Sequence, residues 1–254
     1  MNLSVGSARE SISEADLASH LDRWMAGLRG EPKRVLLVPP DHTRLHSFAG
    51  RIAAILYERL SPASEVHVLP ALGTHHPMTE AQLRLMFGEG IPLDAFRVHD
   101  WRDGVSRRGE IEPEFLDALS GGRFAVPVKA EFDRLLFVVY DLIVSIGQVV
   151  PHEVAGMANY TKNLVVGTGG SDVINKSHFL GAVCGIESIL GTRDNPVRLF
   201  LNEAASRFLN DLPVEYLLTV VEDDEAGPVL RGLFSGGEAA FQSACALSRK
   251  VNIT

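Results

Sequence analysis

The chain reads as a single α/β domain: a mostly parallel, twisted sheet with helices on both faces, Rossmann-like, and a small β-hairpin region near the C-terminus. Three observations predict this. Short, almost wholly apolar runs such as Arg34-Val-Leu-Leu-Val and Leu135 to Gly147 suit strands buried on both faces. These runs alternate with stretches whose apolar residues return at helical spacing. The first runs also empty into polar turns rich in Gly, Pro and His, at the edge where open α/β sheets bind ligands.

Taken in order, Ser13 is a credible N-cap for a helix to Leu28, with Leu17, Leu21, Trp24, Met25 and Leu28 on one face. Arg34 to Pro39 is the first buried strand, and Pro39-Pro40 delivers Asp41-His-Thr-Arg44 to the loop beyond it. A helix from about Ser47 to Leu60 follows, then a strand from Glu65 to Leu72 that ends in Gly73-Thr-His-His-Pro77. Thr79 caps a helix through Phe87, with Gln82 placed as in a capping box. Phe96 to Asp100 and Phe124 to Val128 read as strands, and Glu112 to Leu119 as a short helix. Leu135 to Gly147 reads as a central strand, with a possible break near Asp141. Asn195 precedes a helix that has Pro196 at its first position and runs to about Phe208. Val214 to Val221 and Val229 to Phe234 form β runs around Asp223 to Pro228, and Glu238 to Arg249 is a closing helix.

Composition narrows the function classes. Apolar residues make up 46% and charged residues 22%, with a net charge of -8, so the surface is acidic and unsuited to nucleic acid. No apolar run is long enough to span a bilayer, and the first residues lack the basic and apolar regions of a secretory signal. The expectation is a cytoplasmic protein with no membrane or nucleic-acid partner. Cys184 and Cys245 sit in no paired motif and read as buried free thiols.

The residues that could carry chemistry sit on the strand-end loops. Arg44 can grip a carboxylate with two parallel hydrogen bonds, and Asp41 can orient that arginine or a histidine. The alternative is a surface turn with a local ion pair. His75 can act as acid or base near neutrality, although loop histidines more commonly face solvent. His152 leaves the most apolar strand behind a proline. Lys162 is either an exposed lysine or a nucleophilic amine able to tether a cofactor. Gly167-Thr-Gly-Gly170 resembles a phosphate-cradling turn without completing a dinucleotide fingerprint. The spacing of His152, Lys162 and His178 matches no zinc or haem pattern. His20, His67 and His99 read as structural.

In order and spacing these residues resemble the lactate racemase family, the nickel-pincer-nucleotide enzymes. The D-x-T-R loop at Asp41 to Arg44, the G-T-H-x-P turn at Gly73 to Pro77, and P-H-x-x-A-G-x5-K with a later N-x-x-H recur in register. Asn195 to Arg198 and Gly232 to Ala240 are also similar, so the resemblance spans about residues 30 to 250. The chain departs from the family where Met157-Ala-Asn-Tyr-Thr161 replaces its usual Tyr-Ser-Gly-Gly.

The resemblance implies that Lys162 carries the covalently bound nickel-pincer nucleotide, with Gly167, Gly169 and Gly170 as further cofactor contacts. His178 would be the nickel ligand and His75 and His152 the paired acid/base residues. Arg44 would hold the carboxylate of a small 2-hydroxy acid, with Asp41 orienting one of these groups. The implied activity is a 2-hydroxy-acid racemase or epimerase working by proton-coupled hydride transfer through a 2-keto acid. Two alternatives are a nucleotide-cofactor carrier module that needs a partner, and a nicotinamide-dependent oxidoreductase. The latter is disfavoured because no G-x-G-x-x-G follows the first strand. Residues 1–254 are expected to correspond to the cofactor-bearing domain alone. The family's C-terminal domain is expected to be absent from this chain, and that domain or a partner chain would close the site.

Overall fold

A computed structural model describes residues 3–253. Its centre is a six-stranded sheet in the order β1-β10-β9-β6-β2-β3. The strands are β1 (Ser4–Gly6), β2 (Arg34–Val38), β3 (Glu65–Val68), β6 (Leu142–Gln148), β9 (Val214–Asp224) and β10 (Gly227–Ser235). β3, β2, β6 and β9 run parallel, β10 pairs antiparallel with β9, and β1 pairs antiparallel with β10 at the sheet edge. The expected C-terminal hairpin is therefore β9–β10, and it extends the main sheet.

The apolar runs end up where their composition requires. Every residue of β6 is buried, as are Val35 to Val38 of β2, because helices cover both faces. On one face α1 (Glu14–Ala26) and α2 (Ala49–Leu60) pack Leu17, Leu21, Trp24, Ile52 and Leu56 against Val35, Leu37, Val144 and Ile146. α3 (Glu80–Phe87) follows on the same side and begins with the expected Thr79–Gln82 capping box. The opposite face packs Leu36, Val38 and Ile143 against a two-stranded antiparallel sheet, β4 (Val105–Ile111) and β5 (Val128–Asp133), and against three helices. These are α5 (Thr161–Val165), α6 (Ser171–Cys184) and α8 (Pro196–Phe208). α4 (Pro113–Ser120) and the short α7 (Ile186–Ile189) border this layer, and α9 (Glu238–Asn252) packs Phe241 and Cys245 on Leu218 and Val220.

Several expected boundaries shift for physical reasons. The strand expected at Leu135 to Gly147 is a short 3-10 helix, Arg134–Phe137, followed by β6. The Asp133 carboxylate caps that turn by accepting Leu135 N–H at 2.9 Å. Phe96 to Asp100 forms no ladder; Phe96 makes a single bridge to Val68, while His99 turns inward to Asp133. The strand expected at Phe124 to Val128 instead starts at Val128, where β4 offers a partner. Asn195 caps α8 as expected, accepting Arg198 N–H at 2.9 Å. Cys245 is buried, but Cys184 is only partly so.

β2 is the strand at which the topology reverses. Its successor β3 lies on one side of it and β6 on the other, which opens a crevice beyond their carboxyl ends. The loops after β2, β3 and β6 all lead there. The two-stranded β7 (Pro151–His152) and β8 (Gly156–Met157) then carry the chain back to α5.

Candidate functional site

A cavity of about 550 Å³ occupies that crevice, and Asp41, Arg44, His75, His152, Lys162 and His178 all line it. Each is placed by a separate piece of local structure. Asp41 is 3% exposed and caps the 3-10 helix His42–Ser47. Its Oδ1 accepts Thr43 N–H at 3.1 Å and Thr43 Oγ1 at 2.5 Å, leaving Oδ2 to accept His75 Nδ1–H at 2.6 Å. That bond fixes the His75 tautomer, so Nε2 keeps a lone pair. Gly73 adopts φ 55° and donates its N–H to the Gly167 carbonyl at 2.8 Å, which ties the histidine turn to the floor of the crevice.

Arg44 stands in the same 3-10 helix at φ -112° and ψ 37°, between the helical and extended regions. Among the described residues its guanidinium has no hydrogen-bond or ion-pair partner, although its backbone N–H donates to the Asp41 carbonyl at 3.1 Å. The expected local ion pair with Asp41 is not formed; that carboxylate is committed to Thr43 and His75 instead. A guanidinium without a counterion at a polar cavity is suited to an incoming carboxylate.

His152 is held in the opposite way to His75. Its Nδ1 accepts the backbone N–H groups of Val154 at 3.0 Å and Ala155 at 3.3 Å. The neutral ring therefore carries its proton on Nε2. Burial, then the positive charge of Lys162, pushes the imidazole pKa down to about 3. The 3.8 Å approach of Glu153 is consequently not an ion pair. One histidine thus offers an acceptor nitrogen and the other a donor.

Lys162 lies in the first turn of α5. Its neighbour Asn163 pins that turn into the crevice by donating to the Val38 carbonyl at 2.9 Å and to Ser145 Oγ at 3.0 Å. Burial, followed by the charges of Arg44 and Arg198, pushes the amine down to about 8. His178 lies within α6 and not at a helix start. Its Nδ1–H donates to the Ile174 carbonyl at 2.7 Å, leaving Nε2 as the lone-pair nitrogen. A backbone carbonyl accepting the other ring N–H is the usual partner of a metal-ligating imidazole. The glycine turn divides: Gly167 lines the cavity, whereas Gly169 and Gly170 pack against β5 and the start of α6. His99 secures the turn from behind, with Nδ1 hydrogen-bonded to Asp133 Oδ2 at 2.7 Å and Nε2–H donated to the Gly169 carbonyl at 3.0 Å.

Sequence reasoning missed Gln148, Glu153 and Asn163, all of which line the cavity, and assigned no role to Arg198. Gln148 is legible as a polar residue closing an apolar strand; it is 7% exposed and its Oε1 has no partner among the described residues. Arg198 is 2% exposed and lies on the stripe of α8 that buries Leu201 and Ala205, so a charge on a buried helical face is its signal.

Fold and site together define an α/β domain whose strand-end cavity is lined by an unpaired guanidinium and by histidines presenting one acceptor and one donor nitrogen. The chain belongs to the lactate racemase N-terminal domain family, whose model matches residues 7–188. It is 25% identical over 182 residues to the lactate racemase of Thermoanaerobacterium thermosaccharolyticum, covering 68% of this chain and 40% of that protein. A Thermotoga maritima protein of known structure superposes with a TM-score of 0.86 at 26% identity, covering 94% of this chain and 59% of the other. The lactate racemase apoprotein from T. thermosaccharolyticum shares the fold, with a TM-score of 0.70 at 20% identity, covering 99% and 63%. The chain therefore spans less than two thirds of the length of each of these relatives.

Proposed function

We propose that this chain is the cofactor-bearing domain of a 2-hydroxy-acid racemase or epimerase. The observation that supports this most directly is the convergence of Arg44, His75, His152, Lys162 and His178 on one cavity. Arg44 receives the substrate carboxylate as a two-point contact. His75, with Nε2 free and Asp41 behind it, takes the hydroxyl proton, and Asp41 stabilises the imidazolium that forms. His152 presents Nε2–H to the substrate oxygen from a dry, backbone-fixed position.

The donor set fits a nickel-pincer nucleotide. Among the described residues no group of three or more His, Cys, Asp or Glu could hold a metal ion unaided. A metal carried mainly by a tethered organic group needs only one imidazole and one amine from the protein, and His178 and Lys162 supply these. When bound, the cofactor provides an acceptor for the hydride leaving the hydroxyl-bearing carbon, so that the substrate passes through a 2-keto acid. Lys162 holds the tether; its lowered pKa leaves an appreciable fraction as free amine near neutral pH.

The test is to produce the chain in a host that makes the cofactor and to measure its intact mass, its nickel content and its interconversion of 2-hydroxy-acid enantiomers. A mass adduct mapping to Lys162, one nickel per chain and turnover are expected. Protein with neither adduct nor nickel would sink the reading. A second reading is a cofactor-carrying module that acts with a partner. It expects the adduct and the metal without turnover by the isolated chain.

A further inference from the structure

Arg198 is a fully buried cation that makes no ion pair among the described residues. All of its side-chain hydrogen bonds go to one loop. Its guanidinium donates to the carbonyls of Met157 and Asn159, the latter at 3.2 Å, and to Thr161 Oγ1 at 3.0 Å. Those residues form the segment that departs from the family pattern and leads straight into Lys162. The segment is strained: Asn159 has φ 63° and Tyr160 φ 59° with ψ -132°, conformations that glycine adopts easily and a tyrosine rarely does.

The strain is held from the side away from the cavity. The Tyr160 ring stacks on Phe241 of α9 at 4.9 Å and meets Tyr216 of β9 at 4.6 Å. The Arg198 guanidinium lies 4.7 Å from the centre of the same Phe241 ring. Asn202, one turn beyond Arg198 on α8, accepts the Thr161 hydroxyl at 2.7 Å. A buried charge of this kind adds little to stability compared with an apolar residue of its size, so a directional task better explains it.

We propose that Arg198 is a positioning residue for Lys162, clamping the 157–161 loop so that the lysine amine is presented to the cavity in one orientation with a fixed positive charge behind it. The proposal rests on Lys162 being the reactive amine, but it can be tested without the cofactor. The charged and titratable groups that face Lys162 are Arg44, Arg198, Glu153 and the His152 imidazole, so removing Arg198 leaves one cation, one carboxylate and that imidazole around it.

The experiment acylates the folded chain with acetic anhydride across a pH series and follows the Lys162 peptide by mass spectrometry. The wild-type chain should be half-reactive near pH 8. In Arg198→Met the midpoint should rise, lowering the Lys162 acylation rate at pH 8 by about 2–4-fold. Arg198→Lys keeps the charge but loses the planar fork, and should shift the midpoint less in the same direction. A role confined to stability would lower the melting temperature and leave the midpoint unchanged in both folded variants, which overturns the proposal. If Arg198→Met does not fold, the lysine variant decides alone: an unmoved midpoint overturns the proposal and a raised one supports it. Failure of the racemase reading looks different, since Lys162 would then carry no adduct in a cofactor-producing host whatever its acylation midpoint.

Discussion

Gly147 and Asn159 share one side chain's worth of space: a Cβ built on Gly147 would lie 2.0 Å from Asn159 Nδ2. The last turn of the central strand is therefore bare so that the loop before Lys162 can lie across it. Gly147→Ala should destabilise the chain by about 1–3 kcal/mol, read as a lowered urea midpoint. Asn159→Gly in the same chain should recover most of that loss, because it removes the clashing amide and suits φ 63°. Additive losses in the double variant would contradict this account.

Asp41→Asn should leave the fold intact and release the His75 tautomer. An amide can donate as well as accept, so Nδ1–H is no longer uniquely favoured. Nitrogen NMR of His75 should change from one tautomer to a mixture. Racemisation by the cofactor-loaded chain should fall by about 10²–10⁴-fold. A single unchanged tautomer would remove Asp41 from this role.

Arg44→Lys should weaken binding of a 2-hydroxy carboxylate such as lactate by about 10–100-fold, because an ammonium cannot form two parallel hydrogen bonds to a carboxylate. Calorimetric titration of the loaded chain provides the measurement. Equal affinity in the two proteins would place the carboxylate elsewhere in the cavity.

His152 links stability to pH. Its pKa is about 3 in the folded chain and 6.5 unperturbed, so between those values the unfolded state binds a proton that the native state refuses. Stability should therefore fall as pH drops from 6.5 towards 3, with this residue contributing a slope of up to about 1.4 kcal/mol per pH unit. His152→Asn keeps an acceptor for the Val154 and Ala155 amides and cannot titrate. Urea midpoints at pH 7 and pH 4.5 should lie closer together in that variant than in the wild-type chain. An identical separation would show that the native ring does protonate.

What the sequence made legible was local chemistry. Ser13, Thr79 and Asn195 announce their helices because a cap is decided by a few neighbouring atoms. The site loops were readable because strand ends with Pro, Gly and His stand out against apolar runs. What depended on distant partners was not readable. β1 is three residues long and exists because β10 pairs with it, Ser4 opposite Phe234. β4, Val-Ser-Arg-Arg-Gly-Glu-Ile, has no clean alternation and forms by pairing with β5. The tautomers of His75 and His152 likewise depend on Asp41 and on two backbone amides, which no spacing rule encodes.

The stacking of Tyr160 on Phe241 and Tyr216 shows that the boundary of recognisable sequence is not the boundary of the working unit. The family match ends at residue 188, and every candidate group in the cavity falls inside it. The supports that hold the Lys162 loop in its strained form, Arg198, Tyr216 and Phe241, all come later in the chain. A chimera that transplanted only the matched segment would carry all the reactive groups and none of this bracing, so a transplant must extend through α9.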